Sequence, residues 1–139
     1  MLRAVLEVRS PWRVSSGSAV VLGLSRAPLD AVPTTAYVML GERCLNNCAF
    51  CAQAHSAHSG ADALARVNWP AFSAESAIPA IASAASRGEI KRVCFQVTAG
   101  AGDHELAREA ILATGAVCDV PVSVSIAASS LAQVGELLE

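Results

Sequence analysis

The sequence predicts an α/β fold with a parallel sheet, because strand-like and helix-like segments alternate three times along the chain. The strand-like segments are 34–40, 92–98 and 121–126, and each precedes a stretch with helical periodicity or capping residues. Alternation of this kind is typical of parallel strands joined by right-handed crossovers. The first of these segments is almost continuously apolar, as expected of a parallel strand buried on both faces.

Composition sets broad limits on the class of protein. The 139 residues suit one domain of ordinary size, and the net charge of −2 gives no indication of a nucleic-acid partner. Five cysteines, an odd number, favour a reducing compartment over a disulfide framework. Residues 1–14 lack a signal-peptide core, and no run reaches the roughly 18 apolar residues that cross a bilayer. We therefore expect a cytoplasmic protein with no membrane segment.

Residues 1–33 read as an N-terminal extension that precedes the alternating elements. Residues 1–12 are weakly patterned and end around Pro11. Segment 14–24 is apolar and fits either a strand or a helix, since so short a run does not separate the two. Segment 26–33 is rich in turn-forming residues and reads as a connection.

The first two helices carry clear end signals. Segment 73–87 reads as a helix with Ser73 or Ser76 as its cap and Gly88 as its stop. Pro79 fits best near a first turn, which favours the later of the two starts. Segment 103–114 reads as the second helix, with Gly115 just past its end.

Two further segments complete the chain. Residues 55–67 are rich in Ser, Ala and Gly and read as a mobile loop. Ser129 or Ser130 is expected to cap a third helix that continues to Glu139.

The second and third strand segments alternate between apolar and less apolar residues. Period-two alternation usually marks a strand with one face in water. Because helices between the strands require a parallel arrangement, we expect the less apolar face to line a cavity. The alternating sets are Val93, Phe95 and Val97 against Cys94, Gln96 and Thr98, and Val122, Val124 and Ile126 against Ser123 and Ser125.

Three cysteines directly after the first strand segment form the most informative motif. Cys44, Cys48 and Cys51 have the spacing C-x3-C-x2-C, and three thiolates so close in sequence can fold around one metal centre. A zinc site or a four-cysteine cluster needs a fourth ligand, and no fourth cysteine is nearby. A four-iron cluster held by three thiolates leaves one iron free for a ligand that is not protein.

This motif resembles the signature of the radical S-adenosylmethionine superfamily, C-x3-C-x-Φ-C, with Phe50 as the aromatic residue before Cys51. The run from Pro33 through Ala54, and later segment 67–70, are similar to the biotin-synthase-related branch. The resemblance implies a partial (β/α) barrel, typically of six strands, of which residues 34–139 supply about three β/α units. We therefore expect the N-terminal half of a barrel that a complementary C-terminal half completes. We also expect unpaired outer edges on the first and third strands and helices on one face only.

The resemblance also implies the cofactors. Cys44, Cys48 and Cys51 are the expected ligands of a [4Fe-4S] cluster whose fourth iron binds S-adenosylmethionine. Reductive cleavage of that cofactor yields a 5′-deoxyadenosyl radical, which abstracts hydrogen from a small-molecule substrate. An electron donor such as flavodoxin or ferredoxin is the expected protein partner. The cofactors supply the chemistry, and the protein orients them and excludes side reactions.

Further site residues follow from the family pattern. Phe50 is expected near the adenine through its backbone, and Thr98, Ala99 and Gly100 stand where many members carry Gly-Gly-Glu. This chain lacks the acidic residue, as the biotin synthase branch does.

Biotin synthases hold a second, sulfur-donating cluster on the second and third strands, where this chain has Cys94 and Ser123. A serine at the third-strand position argues against that cluster, and Cys118 lies before the strand and does not replace it. Cys94 fits equally well as a ligand or as a small buried apolar residue.

Two other interpretations remain open. The three cysteines fit a zinc-binding structural module, with His55 or His58 as the outside ligand. The chain also fits a non-catalytic, truncated remnant that keeps the cysteine loop without the rest of the barrel.

Overall fold

The computed structural model describes residues 10–128 and 131–139, which form a mixed α/β fold. Five strands make one open sheet in the order β5-β1-β2-β6-β7, and β3 and β4 make a separate hairpin. The described part of the sheet does not close into a barrel. The elements are β1 (Trp12–Val14), α1 (Ser16–Val21), β2 (Thr35–Leu40), β3 (Ala63–Leu64), β4 (Val67–Asn68), β5 (Ala71–Phe72), α2 (Ala74–Ser86), β6 (Arg92–Val97), α3 (Asp103–Gly115), β7 (Val122–Ser125) and α4 (Leu131–Leu138).

The three strands expected from the sequence are parallel neighbours. β2 pairs with β6 from Thr35↔Arg92 to Leu40↔Val97, and β6 pairs with β7 starting at Val93↔Val122. Helix α2 connects the first pair and α3 connects the second. The predicted alternation of strands and helices with parallel pairing is therefore confirmed.

The outer edge of β2 is paired, so the expectation of an unpaired edge there is wrong. β1 runs antiparallel to β2, with Arg13 opposite Met39, and β5 adds to the far side of β1. Trp12 is fully buried and its ring meets that of Phe95 edge to face, with centroids 5.3 Å apart. This burial of a large aromatic side chain stabilises a strand of only three residues. β7 has a neighbour on one side only among the described strands, as expected.

The two faces of the sheet differ in character, as the alternation predicts. One face packs against α1, α2 and α3 and forms the core, which includes Val38, Leu40, Val93, Phe95, Ala77, Ile81 and Ala107. The opposite face carries two rows of residues in register across β2, β6 and β7. These rows are Tyr37, Cys94 and Ser123, and Met39, Gln96 and Ser125.

Helix α2 begins at the earlier of its two candidate starts. Ser73 is the cap, and its side chain accepts a hydrogen bond from the backbone N–H of Ser76 at 3.2 Å. Pro79 therefore lies inside the helix, and the expectation that it favours a later start is wrong. The cap and the burial of Ala74 and Ala77 outweigh the one backbone hydrogen bond that proline removes. Gly88, with a φ of +71°, follows the helix end as predicted.

The segment predicted as a loop contains a short hairpin. β3 and β4 are joined by Ala65 and Arg66, both with positive φ values of 52° and 62°. The apolar segment 14–24 holds the end of β1 followed by α1. The candidate caps Ser129 and Ser130, and the weakly patterned residues 1–9, lie outside the described residues.

None of the helices in the described ranges has the length and apolar character that crossing a membrane requires.

Candidate metal centre

The cysteine loop begins at the carboxyl end of β2, where Gly41 allows a close approach to β6. Gly41 has a φ of +96°, and a Cβ on it would overlap the Thr98 hydroxyl oxygen. Thr98 in turn donates to the carbonyl of Leu40 through its backbone N–H at 3.1 Å and its hydroxyl at 3.2 Å. A glycine is needed here because any other residue would both strain the backbone and displace Thr98.

The loop is tied back on itself by hydrogen bonds. The Cys44 N–H donates to the Gln53 carbonyl at 3.2 Å, and the Cys51 N–H donates to the Cys48 carbonyl at 3.2 Å. The Arg43 guanidinium donates to the carbonyl of Ala52 at 2.9 Å and also to that of Ser59. These bonds hold the first and last cysteines on the same compact turn.

The three thiols of the loop differ in exposure. Cys44 and Cys51 are half-buried and Cys48 is exposed, and all three are free thiols. In residues 10–128 and 131–139, no group of three or more His, Cys, Asp or Glu side chains converges in a geometry that would hold a metal ion. Three thiols on one loop fit an iron–sulfur cluster or zinc in donor chemistry. Binding would have to bring the three sulfurs together.

A cavity of about 260 Å³ lies between this loop and the carboxyl ends of the parallel strands. Cys44 and Cys51 line it from the loop, while Gln96, Ser125 and Thr98 line it from the strands and their ends. In open α/β sheets, ligands bind in the crevice outside the carboxyl ends of the strands. The cavity therefore joins two of the three thiols to the less apolar face of the sheet, as the strand alternation predicts.

The segment after β6 lies directly against the cysteine loop. The Ala99 carbonyl accepts from the Leu45 N–H at 2.8 Å, and the Ala99 N–H donates to the Cys44 sulfur at 3.2 Å. Thr98 and Ala99 both line the cavity. Gly100 is not among the described residues that line it, and its N–H donates to the Asp103 carboxylate at 3.3 Å.

Phe50 and the two loop histidines lie away from the cavity. The Phe50 side chain is 96% exposed and is not among the described lining residues. Its expected backbone role near an adenine stays a prediction. His55 and His58 are exposed, and neither belongs to a metal-binding group within the described ranges.

Gln53 is a site residue to which the sequence assigned no role. It is 3% exposed, lines the cavity, and its Nε2 lies 2.7 Å from the Ala63 carbonyl, 3.2 Å from that of Ala61 and 3.3 Å from that of Gly60. The amide therefore holds residues 60–63, which lead into β3 and include its first residue, against the cysteine loop. Its position two residues after Cys51 is the one signal that marks it in the sequence.

Asp103 and His104, expected only as the start of a helix, form a pair next to this site. The Asp103 Oδ1 and the His104 Nδ1 are 2.9 Å apart, and His104 is buried. Burial by itself raises the pKa of the Asp103 carboxyl, but hydrogen bonds from His104 and from the backbone of Gly100 and His104 outweigh it and lower that pKa. The carboxylate is thus the favoured form.

Cys94 and Ser123 are opposite one another across β6 and β7, on the less apolar face. Cys94 is half-buried, and its sulfur accepts a hydrogen bond from the Gln96 side-chain amide at 3.2 Å. Cys118 lies at the other end of the β/α unit, where its thiol contacts the Thr114 carbonyl at 3.6 Å. Ser123 therefore occupies the position next to Cys94, and Cys118 does not.

Comparison with family models, with curated proteins and with solved structures finds no match for this chain.

Proposed function

We propose that this chain is a radical S-adenosylmethionine protein of the biotin-synthase-related branch, with Cys44, Cys48 and Cys51 as the ligands of a [4Fe-4S] cluster. The observation that carries the proposal is the cavity at the carboxyl ends of β2, β6 and β7. Cys44 and Cys51 line this cavity together with the less apolar face of the sheet. The loop thus places two of the three thiols in the crevice where open α/β sheets bind their ligands.

A reduced cluster held by these thiolates would supply the electron for reductive cleavage of the sulfonium carbon–sulfur bond of S-adenosylmethionine to the adenosyl radical. The residues of this chain bind and orient the cofactors and the substrate. The three thiolates hold the cluster, and Thr98 and Ala99 form the wall of the cavity beside it. The side chains of Gln96 and Ser125 offer an amide and a hydroxyl to orient a small-molecule substrate.

The finer architecture belongs to the same proposal. The parallel strands β2, β6 and β7 are the first three strands of a partial (β/α) barrel in this interpretation, and a complementary C-terminal half supplies the others. The unpaired side of β7 supports this arrangement, because further parallel strands would add there. A cytoplasmic location and an electron donor such as flavodoxin or ferredoxin follow from the proposed reaction.

Anaerobic reconstitution with iron and sulfide tests the ligand assignment. The protein should bind iron and labile sulfide in equal amounts and show the visible absorption of a cluster. Replacing Cys44, Cys48 or Cys51 by alanine should abolish both, because each removes one of three protein ligands. Cys94→Ala and Cys118→Ala are matched controls that remove a thiol elsewhere and should leave the cluster intact.

The same experiment separates the alternatives. Zinc without sulfide would refute the proposal and support a structural zinc module. A cluster that forms but does not yield 5′-deoxyadenosine from S-adenosylmethionine under reducing conditions would support the non-catalytic remnant. Cluster absorption that survives the loss of Cys48 would refute the ligand assignment.

A further inference from the structure

The turn that follows β6 is fixed by hydrogen bonds on both of its sides. On one side, the Thr98 N–H reaches the Leu40 carbonyl at 3.1 Å, and the Ala99 carbonyl accepts from the Leu45 N–H at 2.8 Å. On the other side, the Gly100 carbonyl accepts from the Asp103 N–H at 3.3 Å. The turn therefore bridges the cysteine loop and the first turn of α3.

The sulfur of Cys44 is a hydrogen-bond acceptor within this bridge. The Ala99 N–H lies 3.2 Å from it, a contact that depends on how the peptide groups of the turn are oriented. The next amide, that of Gly100, donates to the Asp103 Oδ2 at 3.3 Å. The Gly100 N–H belongs to the peptide plane after the Ala99 Cα and the Ala99 N–H to the plane before it. The two rigid planes are linked only through the φ and ψ of Ala99, so a bond that fixes one plane narrows the positions open to the other.

The Asp103 carboxylate is itself held in place by a buried side chain. Its other oxygen, Oδ1, lies 2.9 Å from the His104 Nδ1, and only 10% of the His104 side chain is exposed. The His104 Nε2 is buried and has no hydrogen-bond partner among the described residues. When the ring proton is on Nδ1, the buried Nε2 carries a lone pair and not an N–H group. The bond from Nδ1 to Asp103 therefore sets the tautomer of the ring.

We infer that Asp103 is a positioning residue for the metal centre: its carboxylate orients the Thr98–Gly100 turn so that the Ala99 N–H donates to the Cys44 sulfur. The inference rests on the proposed function in one respect. A hydrogen bond to a cluster thiolate stabilises the more negative, reduced state, so Asp103 makes the reduction potential of the proposed cluster less negative. The acidic residue here acts on the sulfur ligand through the backbone and not by direct contact.

The positioning can be measured without any cluster, by amide hydrogen exchange of the metal-free protein. Asp103→Ala should accelerate exchange at both Ala99 and Gly100 by about tenfold, as expected for the loss of one hydrogen bond each. Asp103→Asn keeps an oxygen that accepts from Gly100 and should preserve the protection. Cys44→Ala should accelerate exchange at Ala99 alone, because it removes only that acceptor.

Controls separate positioning from a general effect on α3. Glu105→Ala removes a carboxylate from the same helical turn without touching the loop, and should leave Ala99 and Gly100 protected. Exchange at Ala107 and Ala110, in the buried face of α3, reports whether each variant is folded. If Asp103→Ala unfolds, Asp103→Ser replaces it, since its oxygen is one bond too short to keep the contact with Gly100. Unchanged exchange at Ala99 in a folded Asp103→Ala or Asp103→Ser variant overturns the inference.

The second measurement is the reduction potential of the reconstituted protein. Asp103→Ala and Asp103→Asn remove the same negative charge, so the comparison between them isolates the hydrogen bond: Asp103→Ala should have a more negative potential than Asp103→Asn. Equal potentials in these two variants, with faster exchange at Ala99 in Asp103→Ala, would refute the effect on the cluster. If the wild-type protein takes up no iron and sulfide, the proposed function fails, while the exchange data still decide whether Asp103 positions the turn at Cys44.

Discussion

Replacing Gly41 by alanine should destabilise the protein more than the same change at another glycine with positive φ. Two costs add at this position. The backbone φ of +96° is unfavourable for any residue with a Cβ, at about 1–3 kcal/mol. The new methyl group would also overlap the Thr98 hydroxyl, whose bond to the Leu40 carbonyl contributes about 1 kcal/mol. We expect a total loss of about 2–4 kcal/mol in the free energy of unfolding.

Two variants separate these costs. Gly23 has a φ of +74°, and a Cβ there would meet no atom within 4 Å, so Gly23→Ala carries the backbone cost alone. In a Thr98→Ala background the overlapping hydroxyl is absent, and Gly41→Ala should cost about as much as Gly23→Ala. The double-mutant cycle should therefore give a coupling of about 1 kcal/mol between Gly41 and Thr98.

Urea denaturation followed by circular dichroism measures these differences. The slope of the unfolding free energy against urea should be unchanged, so that midpoints report stability. Gly41→Ala with a cost no larger than that of Gly23→Ala would show that the two strand ends do not approach as closely as described. A coupling near zero would show that Thr98 is not the neighbour that matters.

Two further predictions concern the residues that brace the site. Gln53→Leu should lower the free energy of local opening of residues 60–63 by about 1–3 kcal/mol, because three carbonyls lose their shared donor. Asn68→Ala, on the nearby hairpin, should have little effect on it. Amide exchange of residues 60–63 measures both variants. Wild-type protein that exchanges there as fast as Gln53→Leu would contradict this. The lowered pKa of Asp103 predicts a contribution to stability that is complete above its unfolded-state pKa of about 3.9 and is lost as the pH falls through the lower folded-state value. The stability difference between wild type and Asp103→Asn should thus shrink below about pH 4, and a difference that is constant from pH 7 to pH 3 would refute the assignment.

The parallel strands and their connecting helices were predictable because their signals are local. Hydrophobic alternation marks β6 over its whole length, and its burial alternates residue by residue. Ser73 and Gly88 are end signals that act within a turn of the helix they bound. The start of α2 was wrongly predicted from Pro79. The cost of a proline inside a helix is offset there by the burial of Ala74 and Ala77, which depends on the sheet beneath them.

β1 was missed because its stability comes from distant parts of the chain. Three residues after a proline form no recognisable period, and the partners Met39 and Phe72 lie far along the sequence. The burial of Trp12 depends on Phe95, which is more distant still. Long-range pairing of this kind leaves no pattern within a short window.

The cysteine triad was predictable from its spacing, but the residues that brace it were not. Gln53 and Asp103 act on backbone groups, and any residue carries those groups, so no sequence pattern marks the partners. Phe50, by contrast, is marked by the motif, but its side chain is almost wholly exposed. Spacing identifies the donors of a site, whereas the orientation of its walls depends on tertiary contacts.

The two edges of the sheet differ in how readily a further strand could pair with them. The edge at β5 is two residues long and directly follows Pro70, which blunts it, whereas β7 presents four residues with a neighbour on one side only among the described strands. An additional strand would thus extend the sheet next to β7, and its side chains would have to alternate between the two faces in register with those of β7. That strand would need apolar side chains level with Val122 and Val124 and small polar ones level with Ser123 and Ser125. A complementary segment would therefore show apolar and small polar residues in period-two alternation.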